Sequence, residues 1–141
     1  ALAAGLVALG GGLMPRVALA RQNDATDLIE AFTGGVAPAS DGVRLDVPDT
    51  AENGSMVPLS FIIDSPMTRE DHITDVLIVA DGNPRGGVAA FQFTPDAGVV
   101  EVHTRIRLAT SQNVVLVAKT STGAFLTAAK AVTVTVGGCG G

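Results

Sequence analysis

From residue 43 onward the chain is a string of short β-rich runs cut by Pro, Gly and Asn, with no helical periodicity between them. The runs are Val43–Val47, Met56–Ile63, Ile73–Ala80, Val88–Phe93, Val99–Leu108, Val114–Lys119 and Phe125–Val136. Seven runs at this spacing predict a mainly β fold, an antiparallel sandwich of immunoglobulin type. Val43 to Val47 alternates strictly, whereas Ile73 to Ala80 is nearly continuous apolar, as a central strand should be. In Val99–Leu108, the residues Val100, Val102, Thr104, Ile106 and Leu108 fall on one face. Glu101, His103, Arg105 and Arg107 fall on the other, which should be solvated. Pro95-Asp96-Ala97-Gly98 predicts a hairpin between the fourth and fifth runs. Ser121-Thr122-Gly123 predicts another between the last two.

Upstream of the strands, Asn23 to Phe32 carries a short helical pattern, with Leu28, Ile29 and Phe32 on one face and Gly34-Gly35 as its stop. Asp24 and Asp27 complement the helix dipole and need no catalytic role. Before the helix, Ala1 to Leu13 contains only Ala, Leu, Val and Gly, and Ala18-Leu19-Ala20 has the small-x-small form a signal peptidase reads. The stretch is shorter than the ~20 residues of a spanning helix. Residues 1–20 therefore read as the remnant of a signal peptide cleaved after Ala20. Residues 21–136 form the helix and sandwich, and 137–141 an arm. The mature chain is expected to be exported and not membrane-bound; the export route is left open between the general and twin-arginine pathways.

Composition removes several function classes. Nine Lys plus Arg against fourteen Asp plus Glu give no basic footprint for nucleic acid. With no Trp, no Tyr and five Phe, an aromatic-lined cofactor pocket is not expected. Two His, one Cys and three Met make a closed metal site an improbable convergence, so neither metal nor cofactor is expected. Glu70 and Asp71 beside His72 fit a solvated loop better than acid–base chemistry. Lys119, Lys130, Arg105 and Arg107 read as surface charges.

The distinctive feature lies at the carboxyl end, where Val132-Thr133-Val134-Thr135-Val136 runs into Gly137-Gly138-Cys139-Gly140-Gly141. Cys139 is the one thiol in the chain. Free Cys is usually among the most buried residue types, yet this one follows the last strand and has two glycines on each side. An extended backbone places its sulfur about 10 Å beyond the sheet. Glycines free the arm to move. A catalytic thiolate needs a cation, a helix N-terminus or a His partner; nothing in the tail supplies one. The thiol is therefore expected to be presented rather than activated. An odd Cys in an exported chain is also consistent with an interchain disulfide.

This tail, leaving the last strand of an exported sandwich, resembles that of the SoxY family, the sulfur-carrier subunits of the bacterial sulfur-oxidation (Sox) system. The resemblance continues inward through Asp64-Ser65-Pro66-Met67-Thr68, Asp71-His72 and Thr104-Arg105-Ile106-Arg107-Leu108-Ala109. It implies that Cys139 is the covalent attachment point for oxidation intermediates and that Gly137, Gly138, Gly140 and Gly141 form a swinging arm. It implies a periplasmic, non-catalytic carrier without a cofactor, heterodimerised with SoxZ. A c-type cytochrome would load it, a sulfate-releasing hydrolase would unload it, and a sulfur dehydrogenase would act where present.

Two other readings belong to different classes. A ubiquitin-like sulfur carrier would use the Gly141 carboxylate on a β-grasp domain. A structural or adhesion sandwich would crosslink through Cys139.

Overall fold

The computed structural model describes residues 23–138; the leader expected at 1–20 lies outside that range. Helix α1 (Ala25–Thr33) precedes the strands β1 (Val43–Asp46), β2 (Thr50–Asn53), β3 (Val57–Ile63) and β4 (Ile73–Ala80). After these come β5 (Gly87–Gln92), a 3-10 turn at Pro95–Ala97, β6 (Val100–Ile106), β7 (Gln112–Thr120) and β8 (Phe125–Val136). One sheet has the order β1-β3-β6 and the other β2-β8-β7-β4-β5. The result is the expected immunoglobulin-like sandwich.

Alternation explains the core. On β3, Val57, Leu59, Phe61 and Ile63 are buried while Pro58 and Ile62 face out. Ile73, Val76, Ile78 and Ala80 of β4 meet them from the facing sheet, with Val114, Leu116 and Ala118 of β7. Phe61 of one sheet and Phe91 of the other meet edge to face at 5.5 Å between ring centroids, an arrangement favoured by the ring quadrupoles. β4 lies between β7 and β5, as its continuous apolar sequence predicts. Glu101, His103 and Arg105 of β6 are exposed, also as predicted.

Helix α1 begins at Ala25, after the predicted Asn23, and ends as expected, with Gly34 at φ 64° donating to the Glu30 carbonyl. Asn23 precedes the helix because its side chain is used elsewhere. Its amide donates to the carbonyl oxygens of Ala80 and Asn83, and its Oδ1 accepts from the Ala25 amide. Phe32 packs edge to face on Phe125.

Three expectations about the sheets need correction. The fourth and fifth runs do not form a hairpin: β5 pairs with β4, and β6 pairs with β3 in the other sheet. The turn at Pro95–Gly98 is real, but it carries the chain across the sandwich. β6 gains a full antiparallel register with β3, from Val57↔Ile106 to Ile63↔Val100. The pairing brings together two strands with the same buried-face alternation. Second, there is an eighth strand, β2, whose polar sequence Thr50-Ala51-Glu52-Asn53 buries only Ala51. Third, the sandwich is not wholly antiparallel, since β2 runs parallel to β8. The predicted pairing of β7 with β8 is present, from Gln112↔Val132 to Lys119↔Phe125.

Candidate functional site

Strand β8 delivers the arm, and its last residues are held by two other segments. Gly54, just past β2, donates its amide to the Val136 carbonyl at 2.7 Å. The Gly54 carbonyl accepts the Leu108 amide at 2.8 Å, and the Leu108 carbonyl accepts the Gly138 amide at 2.9 Å. The chain end, the β2–β3 turn and the segment after β6 are thus tied by three backbone hydrogen bonds.

This junction requires glycine for a reason other than mobility. A Cβ on Gly138 would lie 2.8 Å from the Gly54 carbonyl oxygen and 3.0 Å from the Ser55 amide nitrogen. A Cβ on Gly54 would collide with the Leu108 carbonyl, and one on Gly137 with the Ala109 carbonyl. Backbone atoms cannot rotate away as side chains do, so all three positions exclude any larger residue. Gly54 carries no sequence pattern that marks this role; only its partners in space reveal it.

The segment holding Gly138 is itself fixed from its other side by Asn83, a buried residue between β4 and β5. Asn83 donates through Nδ2 to the Arg107 carbonyl, and its Oδ1 accepts from the Ala109 amide, each at 2.9 Å. Oδ1 also accepts from Gln112 Nε2 at 2.7 Å. Gln112 Oε1 in turn accepts the Gly82 amide at 2.7 Å. The sequence marks Asp81-Gly82-Asn83-Pro84 as a turn; its use as the polar anchor of residues 107–109 comes from the tertiary structure. Cys139, Gly140 and Gly141 lie outside the described residues. Gly138, to which Cys139 is bonded, is the last residue placed.

Both histidines and Lys130 have partners. His72 Nδ1 donates to the Thr68 carbonyl at 2.9 Å. The His72 backbone is bound by Ser121, whose Oγ accepts the His72 amide and whose own amide donates to the His72 carbonyl. The loop begins at Met67, which is buried with φ 50°, a left-handed conformation uncommon outside glycine. This is a pinned loop, and among the described residues His72 has no carboxylate partner. His103 Nε2 pairs with Glu101 Oε2 at 2.7 Å on the solvated face of β6. Lys130 pairs with Asp49 at 3.2 Å. Among the described residues no cluster of His, Cys, Asp and Glu is suited to a metal ion, and no helix is long and apolar enough to cross a membrane.

Two cavities lie against β6. The larger, about 810 Å3, is an open groove lined by Asp46, Pro58, Ser60, His103 and Arg105, and no residue of the arm junction lines it. The smaller, about 340 Å3, opens between β5 and β6 beside Asn83.

Residues 29–139 match the family model described as "Sulfur oxidation protein SoxY". The match thus extends to the thiol. Among solved structures, the chain is similar to the sulfur carrier protein SoxY from Chlorobium limicola f thiosulfatophilum. The two share 30% identity over 79% of this chain and 96% of that one, with a TM-score of 0.64. A superoxide reductase (neelaredoxin) from Ignicoccus hospitalis shares the fold at 12% identity, TM-score 0.61, over 67% of this chain and 81% of that one. A putative superoxide reductase from Thermotoga maritima does so at 18% identity, TM-score 0.55, over 65% and 84%. At such identities these two indicate the fold alone. No curated protein matches the sequence.

Proposed function

This chain belongs to the SoxY family of sulfur oxidation proteins, and from that premise we propose that it carries sulfur covalently on Cys139 during thiosulfate oxidation. The observation that carries the reading is the family match reaching Cys139, directly after a glycine whose backbone is fixed at 2.9 Å to Leu108. A carrier needs a firm base and a thiol that other proteins can reach. Gly137 and Gly138 provide the base by close backbone packing. Cys139, Gly140 and Gly141 are the part that enters partner active sites.

The chemistry is supplied by partners. In loading, the Cys139 thiol and thiosulfate join through a new S–S bond, releasing one proton and two electrons, which a c-type cytochrome accepts. The product is a cysteine S-thiosulfonate. A hydrolase then adds water across the bond to the sulfonate, releasing sulfate and leaving a persulfide on Cys139. A sulfur dehydrogenase, where present, oxidises the outer sulfur before a second hydrolysis. The protein contributes no general base, metal or cofactor. It works as a heterodimer with SoxZ in the periplasm, after cleavage of the leader following Ala20.

The two-sheet sandwich does not favour a ubiquitin-like carrier using the Gly141 carboxylate, because those carriers have a β-grasp domain. A crosslinking module would hold Cys139 in a stable disulfide. Mass spectrometry of the protein from its source tests the readings. Thiosulfonate or persulfide on Cys139 is expected; a C-terminal thiocarboxylate or a permanent disulfide dimer would overturn the proposal.

A further inference from the structure

The chain has four asparagines, and only Asn53 is followed by glycine. Asn23 precedes Asp24 and Asn113 precedes Val114, whose side chains crowd the backbone nitrogen. Asn83 precedes Pro84, whose nitrogen has no proton to lose. Asn53 is exposed at the end of β2, while Gly54 is buried. The Ser55 amide donates to Asn53 Oδ1 at 3.0 Å, which closes an Asx turn. That ring contains both Asn53 Cγ and the Gly54 nitrogen. The same bond sets a donor on the side-chain carbonyl oxygen, where negative charge develops when a nucleophile adds to Cγ.

An opposing restraint acts on the same glycine. The Gly54 amide donates to the Val136 carbonyl at 2.7 Å. A backbone nitrogen must lose its proton before it attacks, and a hydrogen bond made by the protonated form holds that proton in place. The Gly54 carbonyl is engaged as well, accepting the Leu108 amide at 2.8 Å. Reactive pair and restraint therefore meet at the residue that anchors the chain end.

We propose that Asn53 is a deamidation site gated by the hydrogen bond between Gly54 and Val136. When that bond opens, the Gly54 nitrogen bonds to Asn53 Cγ and its proton passes through solvent to the departing ammonia. The Cγ–Nδ2 bond breaks and a cyclic succinimide remains. Water then opens either of its carbonyl–nitrogen bonds, giving aspartate or isoaspartate at position 53, with no change of oxidation state. Isoaspartate routes the backbone through Cβ and Cγ, one bond or about 1.5 Å longer. Gly54 has no room for the added length, since even a Cβ there collides with the Leu108 carbonyl. The anchor of residues 136–138 then cannot re-form, so the modification makes its opening permanent. The reaction needs neither Cys139 nor a partner and stands apart from the carrier reading.

The full chain, held in warm, mildly alkaline buffer and followed by mass spectrometry, provides the test. Peptide digests should place the amide-to-acid mass gain at Asn53, and an isoaspartate methyltransferase should label the same peptide. Gly138→Val strains the anchor at the Gly54 carbonyl and should raise the rate about tenfold, with the urea-unfolded chain faster still. Gly140→Val, beyond the anchor, should react as the parent does. Should Gly138→Val fail to fold, Asn83→Leu loosens residues 107–109 and takes its place. In the converted protein, amide exchange at Gly138 should quicken about tenfold or more. Conversion at Asn23 or Asn113 with Asn53 intact would overturn the proposal. Equal rates in the folded and unfolded parent, or in the parent and the anchor variant, would remove the gate. Unchanged Gly138 exchange after conversion would refute the effect on the anchor.

Discussion

The Gly138 amide donates to the Leu108 carbonyl oxygen at 2.9 Å, so the final strand is anchored to the segment after β6 one residue before the thiol. Gly54 completes the anchor by bonding both Val136 and Leu108. The described chain is therefore held to the sandwich up to the residue that precedes Cys139.

Gly54→Ala should lower stability by about 2 kcal/mol, because its Cβ meets the Leu108 carbonyl and overpacking typically costs 1–3 kcal/mol. Gly138→Val should do the same through the Gly54 carbonyl. Gly140→Val should leave stability unchanged and slow delivery to partners. Urea midpoints set beside thiosulfate-dependent rates separate the two effects. Equal stability of Gly138→Val and Gly140→Val would contradict the anchor.

Cys139→Ser should abolish thiosulfate-dependent turnover while urea denaturation and SoxZ association remain as in the parent. Reconstituted turnover is the measurement, and appreciable residual activity would mean that sulfur is carried elsewhere.

Asn83→Leu should cost about 3 kcal/mol. It leaves the Arg107 carbonyl and the Ala109 amide without their side-chain partner and reduces Gln112 Nε2 to its bond with the Thr110 carbonyl, and a buried unsatisfied group costs about 1–3 kcal/mol. Thermal unfolding reads the loss directly. Amide exchange at Gly138 should also accelerate, since Asn83 fixes the 107–109 segment that holds it.

His72→Gln should keep turnover within about twofold of the parent at every pH from 6 to 8. Among the described residues the ring donates only to the Thr68 carbonyl, a role that the Gln amide can take. A large loss of rate with normal stability would assign His72 a part in the chemistry.

Much was legible in the sequence because strand alternation is local. A period of two fixes which side chains of Val57–Ile63 and Val100–Leu108 face inward, whatever strand lies beside them. Gly34 could be read as the helix stop because the left-handed conformation it adopts favours glycine. The thiol beside its glycines, and the family resemblance it carries, were likewise a property of adjacent residues. Partnership was not local. The turn at Pro95–Gly98 is equally compatible with a hairpin and a crossover, and the seven-pair register with β3 decided for the crossover. Polar β2 gives no burial signal; its place beside β8 depends on backbone bonds. Asn83 and Gly54 look like ordinary turn residues until residues 107–109 and 136–138 are brought against them. Sequence determined the faces and singled out the thiol, whereas long-range hydrogen bonds and close backbone approach decided the pairings and the anchor.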